Sequence, residues 1–156
     1  MILDVFREKQ KIDHLFKLSS HLAHNDELLA NWAKYLCVLT SGFIENSLRL
    51  ILKCHVANKA SPEVVNFVES KINGITNLNE QKISDLLGSF SSDWKKNFSV
   101  TRTNEQKDAI DSVVANRHLI AHGRSVGLTL TRMKDYYEEV VKAITLIDEK
   151  CVNTRR

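Results

Sequence analysis

Residues 26–57 read DELLANWAKYLCVLTSGFIENSLRLILKCHVA, and this stretch decides the fold class. Leu29, Trp32, Ala33, Leu36, Val38, Leu39, Phe43, Ile44, Leu48, Ile51 and Leu52 recur at three- and four-residue intervals, the spacing at which side chains share a helix face. The apolar positions spread over more than one face, which predicts a long central helix buried on several sides. Asn25 and Asp26 offer its N-cap.

Working outward, the same pattern holds on both sides. One proline, Pro62, and five glycines in 156 residues leave few places for a helix to break, and no Val/Thr/Tyr alternation persists. The class predicted is all-α. A first helix spans about Leu3 to Leu22 on Phe6, Ile12, Leu15, Phe16 and Leu22. Ser61-Pro62-Glu63 starts another, with a capping hydroxyl, proline at the first helical position and an acid in the first turn; Gly74 ends it. Asn77 or Asn79 opens a short helix ending near Gly88. Ser91, Ser92 or Asp93 opens a second short one carrying Trp94 and Phe98. A further helix begins near Thr103 or Asn104 and ends at His122. Thr129 or Thr131 caps the last, which reaches about Cys151 before a polar tail, Asn153 to Arg156, expected to fray. Loops this short suit an antiparallel bundle with small lateral helices, in one domain over residues 1–156.

Composition narrows the function classes. An apolar share of 43% supports one core. The net charge of +3 and a sequence pI of about 8.8 permit a polyanionic partner without demanding one. Cys37, Cys54 and Cys151 are far apart and form no Cys-x-x-Cys pair, so neither a disulfide framework nor a zinc ribbon is expected, and a reducing cytoplasm is. Met1 to Gln10 interleaves charges with apolar residues, and no window reads as a signal sequence or a membrane span.

Chemistry is concentrated in residues 117–124, RHLIAHGR. Ile110, Val113 and Val114 lead in at helical spacing, and Gly123 reads as the αL residue that ends the helix. His118 and His122 lie about 40° apart on one face, while Arg117 and His122 lie about 140° apart around the axis. The carbonyls of a last helical turn favour a cation. An imidazole passes protons near neutrality, and a guanidinium holds phosphate through a rigid fork of donors. Together they suit phosphodiester cleavage. The plainer alternative is that an exposed last turn only satisfies the local dipole.

Other constellations are weaker. His14, His21 and His24 can be joined with the His118/His122 pair as a zinc site, but no glutamate follows the first histidine of the pair as in a zinc hydrolase. Neither metal nor cofactor is expected, and the amino-terminal histidines read as a solvated face. Cys37 and Cys54 sit in an apolar pattern as small core residues. Arg124 and Arg102 are either phosphate contacts or solvated cations. Tyr136 and Tyr137 either stack a base or pack. Glu45 and Arg49, at i and i+4, form a surface ion pair worth a few tenths of a kcal/mol.

Arg117, His118 and His122 resemble the signature of the HEPN superfamily: an arginine, a polar neighbour, and a histidine a few positions later near a helix end. Gly42-Phe43-Ile44-Glu45-Asn46-Ser47-Leu48-Arg49 and Leu128 to Tyr137 also look like HEPN chains. The resemblance implies an all-helical dimeric domain, in many members a metal-independent endoribonuclease using arginine and histidine from both protomers. In other members it implies a non-catalytic nucleotide-binding or protein-interaction module. Carried to this chain, it makes Arg117, His122 and His118 the catalytic candidates, although His118 stands where asparagine is more usual. It places the Glu45–Arg49 strip against the motif helix, orienting Arg117 or His122, with Arg124 beside the substrate. RNA, a second copy of the chain and a cognate antitoxin are the partners it implies, in a toxin–antitoxin or phage-defence setting.

Overall fold

A computed structural model describes residues 1–22 and 25–152 of the chain. Seven α-helices follow in order: α1 Leu3–Leu18, α2 Asp26–Ala57, α3 Pro62–Ile72, α4 Glu80–Phe90, α5 Ser92–Thr101, α6 Asn104–Ala121 and α7 Leu130–Leu146. A 3₁₀ turn, Ser19–Leu22, follows α1, and a π turn, Ile147–Val152, closes α7. No strand occurs among the described residues. The predicted all-α bundle with a long central helix is what forms.

Side chains set most of the helix starts. Asn25 Oδ1 accepts the Leu28 N–H at 2.9 Å, and Asn79 Oδ1 accepts that of Lys82 at 2.9 Å. Thr129 Oγ1 accepts the Arg132 N–H at 3.2 Å, and Thr103 with Gln106 forms a reciprocal capping box. Ser61 departs from expectation, making no side-chain bond to the backbone of α3. Its hydroxyl serves Glu63 instead, whose carboxyl is held below its ordinary value first by the residue's own backbone N–H and then by Ser61.

Three boundaries differ from the expected ones. The first α-helix stops at Leu18, because Ser19 and Ser20 donate their hydroxyls to the Phe16 and Lys17 carbonyls at 2.5 and 2.8 Å and compete with the regular ladder. α4 runs through Gly88 to Phe90. A Cβ at Gly88 would lie 2.9 Å from Lys95 Cδ, so this glycine serves the close approach of α5 rather than a stop. α7 loses its regular α spacing at Ile147. The tail 153–156 and His24 lie outside the described residues.

α2 packs against α1, α3, α6 and α7, and Leu36, Ile44, Leu48, Ile51 and Leu52 are fully buried along it. Val38 is an exception, exposed with Leu28 and Tyr35 as a strip facing away from the core. Contrary to the expectation of no spanning segment, α2 is long and apolar enough to cross a membrane by length and composition alone. Over half of that stretch is buried inside the bundle, where its apolar side chains are used as core.

Cys37, Cys54 and Cys151 are free thiols. Burial pushes the Cys37 thiol up to about 12 and the Cys151 thiol up to about 11, which keeps both protonated and unreactive near neutrality. Cys37 Sγ donates to the Val113 carbonyl at 3.4 Å, tying α2 to α6.

Replacing Leu48 by alanine should lower the unfolding free energy by roughly 2–5 kcal/mol, measured by urea denaturation. Val100→Ser, at a residue 78% exposed, should change it by less than about 0.5 kcal/mol.

Candidate functional site

The end of α6 is built by its own backbone. Gly123 has φ +65°; its N–H donates to the Ile120 carbonyl at 3.0 Å, and that of Arg124 to Leu119 at 2.9 Å. These two bonds are the Schellman closure, which needs a left-handed residue where Gly123 stands. His122 is the C-cap, its N–H shared between the His118 and Leu119 carbonyls at 3.2 Å each. The closure leaves both imidazoles outside. His118 and His122 are exposed, with ring centroids 4.4 Å apart and planes at 62°.

Arg117 leaves the helix in another direction and is half-buried. Its Nη1 donates to Asn77 Oδ1 at 3.2 Å. Asn77 has φ 54°, a left-handed conformation that asparagine tolerates better than most side chains. Its N–H donates to Glu45 Oε1 at 2.7 Å, and its carbonyl accepts the Asn79 N–H at 3.0 Å. Glu45 Oε2 lies 3.5 Å from Arg49 Nη2, with the two side chains 15% and 24% exposed. Arg49 Nε also donates to the Ile72 carbonyl at 3.3 Å and Nη2 to that of Ile75 at 2.5 Å, while Nη1 donates to the exposed Asn46 Oδ1 at 3.1 Å.

The i, i+4 pair is therefore not a surface ion pair, and its charges are largely withdrawn from water. A continuous polar chain runs from Arg49 through Glu45 and Asn77 to Arg117, joining α2, the α3–α4 connection and α6. The structure brings Glu45 and Arg49 to Arg117 through Asn77, which the sequence marked only as a possible helix opener. The available signal was its chemistry, an asparagine between two short helices where a left-handed turn is needed.

The other candidates divide. Arg124 is exposed just beyond the cap. Arg102 is neither solvated nor free for phosphate, since its Nε meets Glu80 Oε1 at 2.5 Å, the side chains 16% and 6% exposed. Tyr137 is buried, its hydroxyl donating to Asp13 Oδ1 at 2.8 Å, and burial followed by that bond raises its phenol well above the ordinary value. Tyr136 lies under the Arg132 guanidinium, 6.0 Å from ring centroid to carbon. His14 and His21 are exposed on and after α1. Among the described residues no three His, Cys, Asp or Glu side chains are grouped to hold a metal.

In comparisons with known proteins, the family described as RiboL-PSP-HEPN matches residues 2–153. No curated protein and no solved structure matches the chain significantly.

The polar chain has a measurable energetic signature. Glu45→Ala would strip the Asn77 N–H of its acceptor and Arg49 of its counter-charge, and should cost about 1–3 kcal/mol. Glu45→Gln keeps an acceptor oxygen and should cost less than half as much, both read by urea denaturation.

Proposed function

The chain belongs to the RiboL-PSP-HEPN family, and on that premise we propose that it is a metal-independent endoribonuclease whose site is completed by a second copy of the chain. The observation that carries this reading is the pair of exposed imidazoles in edge-on contact at the end of α6 beside an arginine held from the scaffold by Asn77. One imidazole accepts the proton of an RNA 2′-hydroxyl. The 2′-oxygen bonds to the adjacent phosphorus, the bond from phosphorus to the 5′-oxygen breaks, and a second imidazole protonates that leaving oxygen. The products are a 2′,3′-cyclic phosphate and a 5′-hydroxyl.

His122 and its mate in the second copy carry the protons, and His118, in ring contact with His122, positions it or relays its proton. Arg117 holds the charge of the phosphorane. Glu45 and Arg49 act through Asn77 by orienting Arg117, and Arg124 lies where the flanking backbone would pass. The need for two copies follows from direction. Arg117 and His122 project about 140° apart around one helix, so two α6 ends meeting across a twofold axis supply both to one phosphate. Leu28, Tyr35 and Val38 on α2 offer exposed apolar surface for such an association. A ribonuclease active on its host's RNA requires restraint, which fits a cytoplasmic toxin or phage-defence component with a cognate inhibitor protein.

Light scattering at micromolar concentration should report a dimer; a monomer with full activity would sink the shared site. Cleavage of labelled RNA should survive excess EDTA, whereas loss of activity restored by Mg²⁺ would reject the mechanism.

The variants separate the roles. His122→Ala should leave RNA affinity nearly intact and slow cleavage by about 10²–10⁴-fold. Arg117→Ala should weaken binding, flatten its salt dependence and slow cleavage to a comparable degree. His118→Ala should be milder, and melting should show all three folded. If wild type cleaves nothing while every variant still binds the same partner, the endonuclease reading fails and a non-catalytic binding module takes its place.

A further inference from the structure

Beside His118, the first turn of α4 and the outer face of α6 line a cleft of about 450 Å³. This is within the range of small-ligand sites and large enough for one nucleotide, not for a folded oligonucleotide. From α6, Val114 and Ala115 give it apolar lining beside His118, and Asn79 and Lys82 line it from the start of α4.

The walls are fixed by bonds that also settle which polar groups remain available. The Glu80 N–H donates to Asp111 Oδ1 at 2.9 Å, Asp111 Oδ2 pairs with Lys107 at 3.1 Å, and Arg102 holds Glu80. Both oxygens of Asp111 are therefore engaged, and Glu80, the other acid lining the cleft, is paired with Arg102. Asn79 uses its Oδ1 as the cap of α4, which leaves its amide NH₂ to donate. Lys82 is exposed and forms no ion pair among the described residues. An apolar surface, two amide donors from Asn77 and Asn79, and the Lys82 ammonium match a nucleoside that stacks its base, offers acceptors and carries a phosphate.

We propose that this cleft is a ribonucleotide subsite, which takes the nucleotide adjoining the phosphate held at the imidazoles. Because His118 both lines the cleft and contacts the His122 ring, a chain whose phosphate lies at His122 has its next nucleoside directed over Val114 and Ala115. Lys82 meets the following phosphate, and the Asn79 amide meets the base edge or ribose. The cleft thus selects RNA over a bare anion. The inference rests on the ribonuclease reading for the identity of that phosphate.

The test uses the whole chain, a 2′-fluoro RNA pentamer that cannot be cleaved, and tripolyphosphate as an anion without a nucleoside. Ala115→Trp fills the cleft from an exposed position, and Asn79→Ser keeps a capping oxygen while removing the amide. Both should weaken the pentamer, Ala115→Trp by roughly tenfold or more, with tripolyphosphate affinity and melting unchanged. Lys82→Gln should lower the salt slope of pentamer binding by about one. Unchanged pentamer affinity in Ala115→Trp and Asn79→Ser, or an equal loss for tripolyphosphate, overturns the subsite. Unmodified RNA is assayed in parallel. The expected binding pattern without cleavage by wild type rejects the ribonuclease reading while keeping the cleft as a nucleotide site, and no binding of the pentamer rejects both.

Discussion

Glu45 and Arg49 sit on the central helix with their charges largely withdrawn from water, and the need to satisfy those two charges determines where the chain runs after α3. A charged group withdrawn from water is tolerated only when paired and hydrogen-bonded. Arg49 meets that need with the Ile72 and Ile75 carbonyls, at and just beyond the end of α3. Glu45 meets it with the Asn77 N–H. Held there, Asn77 turns the chain through a left-handed conformation, Leu78 enters the core, and Asn79 falls into place as the cap of α4. One polar strip on α2 thus sets a loop, a helix start and the anchor of Arg117.

The same arrangement makes the end of α6 suited to chemistry. Its Schellman closure is satisfied internally, so neither imidazole is needed as a side-chain cap and both remain outside. The arginine beside them is held by the scaffold, which reduces the rotamer freedom lost when a guanidinium grips a phosphate. The cleft next to His118 is fixed in the same way, by bonds among Glu80, Asp111, Lys107 and Arg102 that bring α4 and α5 to α6.

Differences between expected and observed structure have local causes. Ser61 has the right position for a cap, but its hydroxyl is partnered by the Glu63 carboxyl. Ser19 and Ser20 turn their hydroxyls back onto carbonyls and tighten the chain early. Gly88 marks a close crossing of helices, because a glycine that ends a helix and one that admits a neighbour look alike in one dimension. Val38 fits the apolar period of α2 yet faces outward, since periodicity reports which residues share a face and not whether another helix covers it.

What the sequence determined by itself was local: seven helices, most of their caps, the break at Gly123, and the placing of His118, His122 and Arg117 around one helix end. Those follow from interactions within three or four residues, where spacing and geometry are nearly the same thing. What only the tertiary structure decided was partnership. Glu45 meets Asn77 across 32 residues and Asn77 meets Arg117 across 40, and Arg102 pairs with Glu80 across 22. Such contacts depend on how helices pack, and a charged side chain carries no mark in the sequence of whether it will face water, a distant carbonyl or another charge. The grouping of Arg117, His118 and His122 at one helix end could be read from the sequence, but the scaffold that holds Arg117 could not, because it exists only once α2, the α3–α4 connection and α6 have come together.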